Sequence, residues 1–419
     1  MATPHEPHEV RRSIEAVWRL ESARLLGGLV RLVRDLDLAE DLAHEALVAA
    51  LERWPRDGIP DRPGAWLMTT AKNRALDRAR RSKVRQREHD ALAAEAPSQT
   101  TFDPTTLDEN VGDDLLRLIL IACHPVLSSD ARVSLTLRLV VGLTVEEIAR
   151  AYMAAETTIQ QRIVRAKRTL REARAPFEVP RGAELTARLE SVMQVVYLIF
   201  NEGYASTRGP RWLREELSDD ALRLGRTLAA LVPDEAEVQG LLALMELSAS
   251  RARARLDADG RPVLLLDQNR ALWDRLQIGR GLAALARAES LASPLRPYTL
   301  QAAINACHAR AARAEDTDWR RIVALYDALV EATGNPVVEL NRAMAVAMAY
   351  GPADGLALVD QLIEDGELQG YHWLPSVRGE LLARLGRHDE ARAELHRAAE
   401  LTQNERERES LLARAARLA

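Results

Sequence analysis

Aromatic residues make up only 4% of this 419-residue chain, and there are two cysteines. Sandwiches and barrels draw on β-branched and aromatic side chains, so this scarcity argues against them. What remains is rich in Ala, Leu, Arg and Glu, which favours helices, and an all-α fold is expected. Hydrophobic residues at 47% and charged residues at 28% are enough to bury ordinary cores. Long apolar runs are missing, so no membrane span is expected. The opening MATPHEPHEV lacks the apolar stretch of a secretory signal, and a cytoplasmic protein is expected.

Cys123 and Cys307 lie 184 positions apart, too few for a disulfide framework and suited to a reducing compartment. Each precedes a histidine, His124 or His308. Zinc wants four ligands at short spacings such as C-x-x-C, and none occurs, so two small core residues are expected and no metal or other cofactor. Gly-rich phosphate loops, nucleophile–base pairs and carboxylate-pair motifs are also missing, and no catalytic activity is expected.

Charge is present but unevenly spread. The net charge is −5, yet residues 1–175 hold 27 Lys+Arg against 26 Asp+Glu, and the remainder 30 against 36. Residues 72–87 carry eight basic side chains and one acid; 88–114 carry eight acids and no Lys or Arg; 162–174 carry six basic residues and one acid. Basic clusters on helical periodicity are the electrostatic footprint of a phosphate-binding surface. An acidic tether between two such clusters has the charge to occupy a basic channel before nucleic acid does.

Apolar positions at three- and four-residue spacing (Ile14, Val17, Leu25, Leu29, Leu32, Leu36) predict helices over residues 8–54, the second opening at Asp37 and running to Trp54. Pro55, Gly58, Pro60 and Pro63 predict a loop, and a third helix follows from about Gly64 to Arg87. Residues 8–87 thus form a first module, 88–112 an acidic flexible linker, and 113–175 a second module. Within the latter, Thr144 and Glu147 have capping-box spacing ahead of a short helix ending near Tyr152. A turn at 153–156 leads into a basic helix, Thr157–Arg174: the layout of a helix-turn-helix. Ile148, Ile159, Ile163, Ala166 and Leu170 fall on its inward stripe, whereas Gln160, Gln161, Val164 and Arg165 point outward. Gln offers a donor–acceptor pair suited to adenine and Arg a fork suited to guanine.

A third part, 181–419, begins after Pro176 and Pro180 and is also expected to be helical. From about residue 300 it is tetratricopeptide (TPR)-like: Gly386 precedes Ala391, Leu395 and Ala398, as Gly351 precedes Leu356, Val359 and Leu362. Such repeats usually present a protein-binding surface. Upstream, Asn201-Glu202-Gly203 and the Asp267–Arg270 stretch read either as a helix end and a turn or as a candidate effector or interdomain site built from Asn201, Glu202, Asp267 and Arg270.

The segments DLAEDLAHEALVAALERW (37–54) and AWLMTTAKNRALDRARR (65–81) resemble region 2 of the extracytoplasmic-function (ECF) group of the bacterial sigma-70 family. LTVEEIARAYMAAETTIQQRIVRAKRTLRE (143–172) resembles region 4 of that group. The resemblance implies an alternative sigma factor of transcription initiation, with RNA polymerase core and promoter DNA as partners. By position, Asp37, Asp41 and Glu45 would dock on the β′ subunit, with further contact to β. Arg56, Arg62, Trp66, Asn73, Asp77, Arg78 and Arg81 would read and open the −10 element; with only Trp18, Trp54 and Trp66 as aromatics over 11–90, melting would be weak and promoters demanding. Gln160, Gln161, Val164 and Arg165 would read the −35 element, with Thr158, Lys167 and Arg168 on phosphates. Ala155 and Thr157 depart from the family's usual cap and glycine, and Ala is a poor N-cap. The extension resembles that of an ECF subgroup in which it regulates activity in place of a separate anti-sigma factor, and whose genes neighbour a DGPF/YCII-like protein. The rival reading is a helix-turn-helix regulator with a TPR-like sensor, which would bind duplex DNA unaided.

Overall fold

The computed structural model describes residues 7–90, 111–205, 213–258, 260–292 and 294–418, with backbone alone at 7–9, 81–90 and 111–113. The expected linker, 88–112, falls mostly outside the described residues. Eighteen α-helices and no strand occur among the described residues, so the fold is all-α, as expected. The chain forms two compact units, Met1–Val195 and Val196–Ala419.

The first unit contains α1 (Pro7–Val33), α2 (Leu36–Asp57), α3 (Pro63–Asp90), α4 (Val111–Ala122), α5 (Ser129–Thr136), α6 (Val145–Tyr152), α7 (Glu156–Glu172) and the first half of α8 (Ala183–Tyr204). Asp35 caps α2, its carboxylate accepting from the Leu38 N–H at 2.9 Å. The helix runs past Trp54 to Asp57, with Pro55 inside its last turn. A proline there forfeits one backbone bond near a frayed end, and Gly58, at φ 83°, closes the helix by donating to the Trp54 carbonyl at 3.0 Å.

α1 is the hub of this unit, packing against α2, α3 and α4. A Cβ on Gly27 would lie 2.3 Å from the Asp114 carbonyl oxygen, so only glycine admits α4 so close. Asp114, the last acid of the 88–114 run, is not a tether residue: it is buried and pairs with Arg31 at 3.0 Å and with Arg117. The two sequence modules are therefore packed together rather than merely strung on a linker. The start of α8 packs here too: Arg188 donates to the Leu120 carbonyl at 2.7 Å, and Ser191 to that of Cys123 at 2.6 Å.

The second unit continues α8 and adds α9 (Glu215–Leu231), α10 (Ala236–Ala249), α11 (Arg275–Leu291), α12 (Pro297–Arg310), α13 (Trp319–Thr333), α14 (Pro336–Ala349), α15 (Pro352–Glu364), α16 (Trp373–Arg384), α17 (His388–Leu401) and α18 (Glu405–Ala416). Consecutive helices from α12 to α18 pack on one another, the pattern of a helical repeat array. Leu356, Val359 and Leu362 on α15 and Ala391, Leu395 and Ala398 on α17 are buried, as their spacing predicts. Gly355 sits where a Cβ would meet the Ala343 carbonyl oxygen at 2.5 Å and the Ala347 Cβ at 2.6 Å, which lets α15 lie directly on α14.

Candidate nucleic-acid interface

Three elements carry the side chains singled out by sequence. On α2, Leu36, Ala39, Leu42, Ala43, Ala46, Ala49, Ala50 and Trp54 are buried, which turns the acids outward. Asp41 is exposed and Asp37 and Glu45 are half-buried. Val48 (51% exposed) and Leu51 (39% exposed) stand in solvent on the same helix. Acids beside uncovered aliphatic side chains give α2 a mixed surface with the chemistry for protein docking; sequence reasoning picked out the acids and passed over the aliphatics, which helical spacing alone would have assigned to a core.

The loop after α2 and the helix α3 hold the second set. Arg56, Arg62, Asn73 and Asp77 are exposed. Trp66 is half-buried and packs edge-on to Trp54, ring centroids 5.3 Å apart, and Trp54 is itself fully buried. Trp54 therefore offers no stacking platform, and Trp66 is held by the core along one edge. Arg78 donates to Glu45 at 2.5 Å and lies 3.7 Å from Asp41, while Arg74 bonds Glu45 at 3.2 Å. The predicted docking acids and a predicted DNA-contacting arginine thus hold one another. Arg81 lies in α3 beyond the side chains described.

The third set sits on a helix-turn-helix. Thr144 and Glu147 form the capping box: the Thr144 hydroxyl accepts from the Glu147 N–H at 3.1 Å, and the Glu147 carboxylate from the Thr144 N–H at 2.8 Å. Met153, at φ 48°, makes the left-handed turn, and α7 starts at Glu156 behind Ala155, which supplies no side-chain cap. Ile159, Ile163, Ala166 and Leu170 are buried and Ile148 anchors α6 beneath them. Thr158, Gln160, Gln161, Val164, Arg165 and Arg168 are all exposed. Val164 is 60% exposed, an uncovered apolar group in the middle of the polar row. Such a row has the chemistry to read base edges: amide and guanidinium forks for purines, an aliphatic group for a thymine methyl.

Lys167 is the exception. It is drawn inward and pairs with Asp37 at 3.1 Å and with Glu40. Arg171 also pairs with Asp37. A basic helix assigned to phosphates is thereby joined to the acidic helix assigned to protein docking. The Arg171–Asp37 pair is exposed and contributes only about 0–1 kcal/mol, so it can be exchanged for a stronger external contact; Lys167 and Glu40 are largely buried, and parting them costs more. Glu40 and Arg171 were not among the sequence candidates; pairs separated by more than 120 positions leave no local signal.

The remaining candidates have separate duties. Glu202 pairs with Arg214 at 3.2 Å, and Asn201 hydrogen-bonds Tyr197. Asp267 is exposed at the end of a short 3₁₀ turn, whereas Arg270 is buried and donates to the carbonyls of His308 and Ala311, both at 2.7 Å. Cys123 is buried with Sγ 3.2 Å from Thr136 Oγ1, and burial pushes its thiol up to about 11. His124 accepts from the Val126 N–H at 3.1 Å and burial draws its imidazole down to about 4. Among the described residues, no group of three or more His, Cys, Asp or Glu is placed to hold a metal, and no helix is long and apolar enough to cross a membrane.

Comparison with known proteins bears on each part. Residues 18–85 match sigma-70 region 2, 117–170 match sigma-70 region 4, and 188–289 match a family of unknown function, DUF6596. The chain is 43% identical over 389 residues to an uncharacterized protein of Rhizobium meliloti (strain 1021), covering 92% of this chain and 91% of that one. It is 30% identical over 169 residues to the "Probable ECF RNA polymerase sigma factor SigI" of Mycobacterium tuberculosis, covering 40% of this chain and 57% of the relative. It is 29% identical over 159 residues to the ECF RNA polymerase sigma factor SigL of that organism, covering 38% of this chain and 86% of the relative. No solved structure matches.

Proposed function

The chain belongs to the sigma-70 family, in its ECF group, and on that premise we propose that it binds RNA polymerase core and directs initiation at particular promoters. The role is non-catalytic, and the cytoplasm is its place of action. Asp41 and Glu45, with Val48 and Leu51 beside them, dock on the β′ subunit, and β completes the seat. Arg56, Arg62, Trp66 and Asn73 engage the −10 element; with Trp54 buried, stacking power is low and promoters must be easily opened. Gln160, Gln161, Val164 and Arg165 read the −35 element. The observation that carries the reading is this exposed row on a capped helix-turn-helix, in one unit with an acid-bearing docking helix. Each module is weak alone, and the shared polymerase raises the effective concentration of the second once the first is engaged.

Lys167 and Arg171 must leave Asp37 and Glu40 before they reach phosphates, so core and promoter are exchanged for an internal contact. The extension regulates this exchange; α8, which enters it, is anchored on α4 and the turn after it by Arg188 and Ser191. A DGPF/YCII-like protein is the regulator that the subgroup resemblance offers. The test is gel filtration with core polymerase from a related bacterium: the chain co-elutes, and D41K/E45K does not. A wild-type chain that elutes alone would overturn the proposal.

A further inference from the structure

The second unit holds a concentration of positive charge that the transcription reading leaves unused. Arg270 is 93% buried, because only 7% of it is exposed, and it spends Nη1 on the His308 and Ala311 carbonyls and Nη2 on Thr317 Oγ1 at 3.1 Å. Its Cζ lies 4.9 Å from the centre of the Trp273 ring, and the Cζ of Arg251 lies 5.8 Å from the same centre. One turn along from Arg251, Arg255 stacks on Tyr204 with its Cζ 3.6 Å from the ring centre.

Among the described residues, neither Arg251 nor Arg270 has a carboxylate within ion-pair distance. Glu315 and Asp316, the acids that act on Arg270, are exposed and pair with Arg313 instead. Arg251 is half-buried; its backbone N–H donates to the Ser248 carbonyl at 3.2 Å, and its side chain makes no hydrogen bond among the described residues. Next to it, Arg270 Nε, Trp273 Nε1 and His308 Nδ1 are buried without hydrogen-bond partners. Burial draws the His308 imidazole down to about 3, and the charges of Arg251 and Arg270 add to that effect.

Guanidinium charge partly withheld from water with no carboxylate in contact is costly, and like charges in proximity add to that cost. Cation–π contact with one indole recovers only part of it. An anion would recover the rest, and guanidinium forks match the geometry of phosphate and carboxylate oxygens. We propose that the cluster of Arg251, Arg270 and Trp273 is a binding site for the oxyanion group, phosphate or carboxylate, of a small molecule. Arg251, at the half-open edge, receives the charge, and Arg270 behind it, fixed by its bonds to His308, Ala311 and Thr317, adds to the positive field.

The site is tested on the free full-length chain, so the outcome does not depend on polymerase or promoter. Calorimetric titration and thermal denaturation are run with pyrophosphate and with citrate, each against sodium chloride of equal ionic strength. Arg251→Met is the decisive variant: the side chain makes no hydrogen bond, so the variant folds with a midpoint equal to or above that of the parent. The parent binds at least one of the two anions saturably, with affinity lowered tenfold or more in R251M. Binding of pyrophosphate alone assigns phosphate, of citrate alone carboxylate, and of both the shared oxyanion. The tryptophan fluorescence change on binding disappears in Trp273→Phe. Absence of binding above the chloride control overturns the proposal. So does equal binding by parent and R251M, which would place the anion on the basic helices of the first unit.

Discussion

On the proposed function, Arg165 and Arg168, exposed neighbours on α7, have different duties. Arg165 stands in the base-reading row, so Arg165→Ala should cost about 1–3 kcal/mol at one −35 position and relax preference there. Arg168 is placed for phosphate, and Arg168→Ala should weaken all promoters alike and lower the salt slope by about one. A panel of −35 variants transcribed at several salt concentrations separates the two; identical profiles would refute the division of labour. His308 gives a prediction about stability. Its folded value, about 3, lies below the usual 6.5, so the unfolded chain binds the extra proton between those limits. Stability from this group is complete above pH 6.5 and falls as pH drops; at pH 5 the loss is roughly 2 kcal/mol. His308→Phe should flatten the acid limb of the unfolding profile, and an unchanged slope would contradict the assignment. At this scale the sequence was a good guide to exposure: the outward row on α7 followed from periodicity alone. It was a poor guide to Lys167, whose partners come from a helix more than 120 positions away.

Helix boundaries and close approaches belong to the next scale. The capping box at Thr144 and the left-handed turn after α6 follow from side-chain chemistry within a few residues, and so were legible. The end of α2 was misjudged because proline in a last turn costs little when a glycine cap follows. Two glycines in the second unit make opposite predictions. Gly355→Ala should destabilise by about 1–3 kcal/mol, since a Cβ there meets backbone and a short side chain that cannot swing away. Gly279→Ala on α11, with nothing within 4 Å, should stabilise by about 0.5–1 kcal/mol through helix propensity. Thermal denaturation of the pair decides it: equal shifts would mean that the packing of α14 on α15 is not what demands the glycine.

At the scale of the molecule, the first unit pairs its own functional charges, α2 acids with α7 bases. Local patterning reveals each module but not their mutual packing, because Gly27 and Asp114 meet only once the chain is folded. Asp37→Asn with Glu40→Gln should release Lys167 and Arg171. Duplex DNA binding by the free chain should then strengthen at low salt, by up to about fivefold from the exposed Arg171–Asp37 pair of about 1 kcal/mol or less. Unchanged affinity in a gel-shift titration would show that these pairs do not compete with phosphate.

The most direct measurement is promoter-dependent transcription by core polymerase supplied with the purified chain, on a template carrying the upstream region of its own gene. The account predicts a discrete transcript that requires the chain and is lost with Q160A/R165A. Core polymerase that makes no specific transcript with the chain, full-length or ended after Ala175, would contradict it.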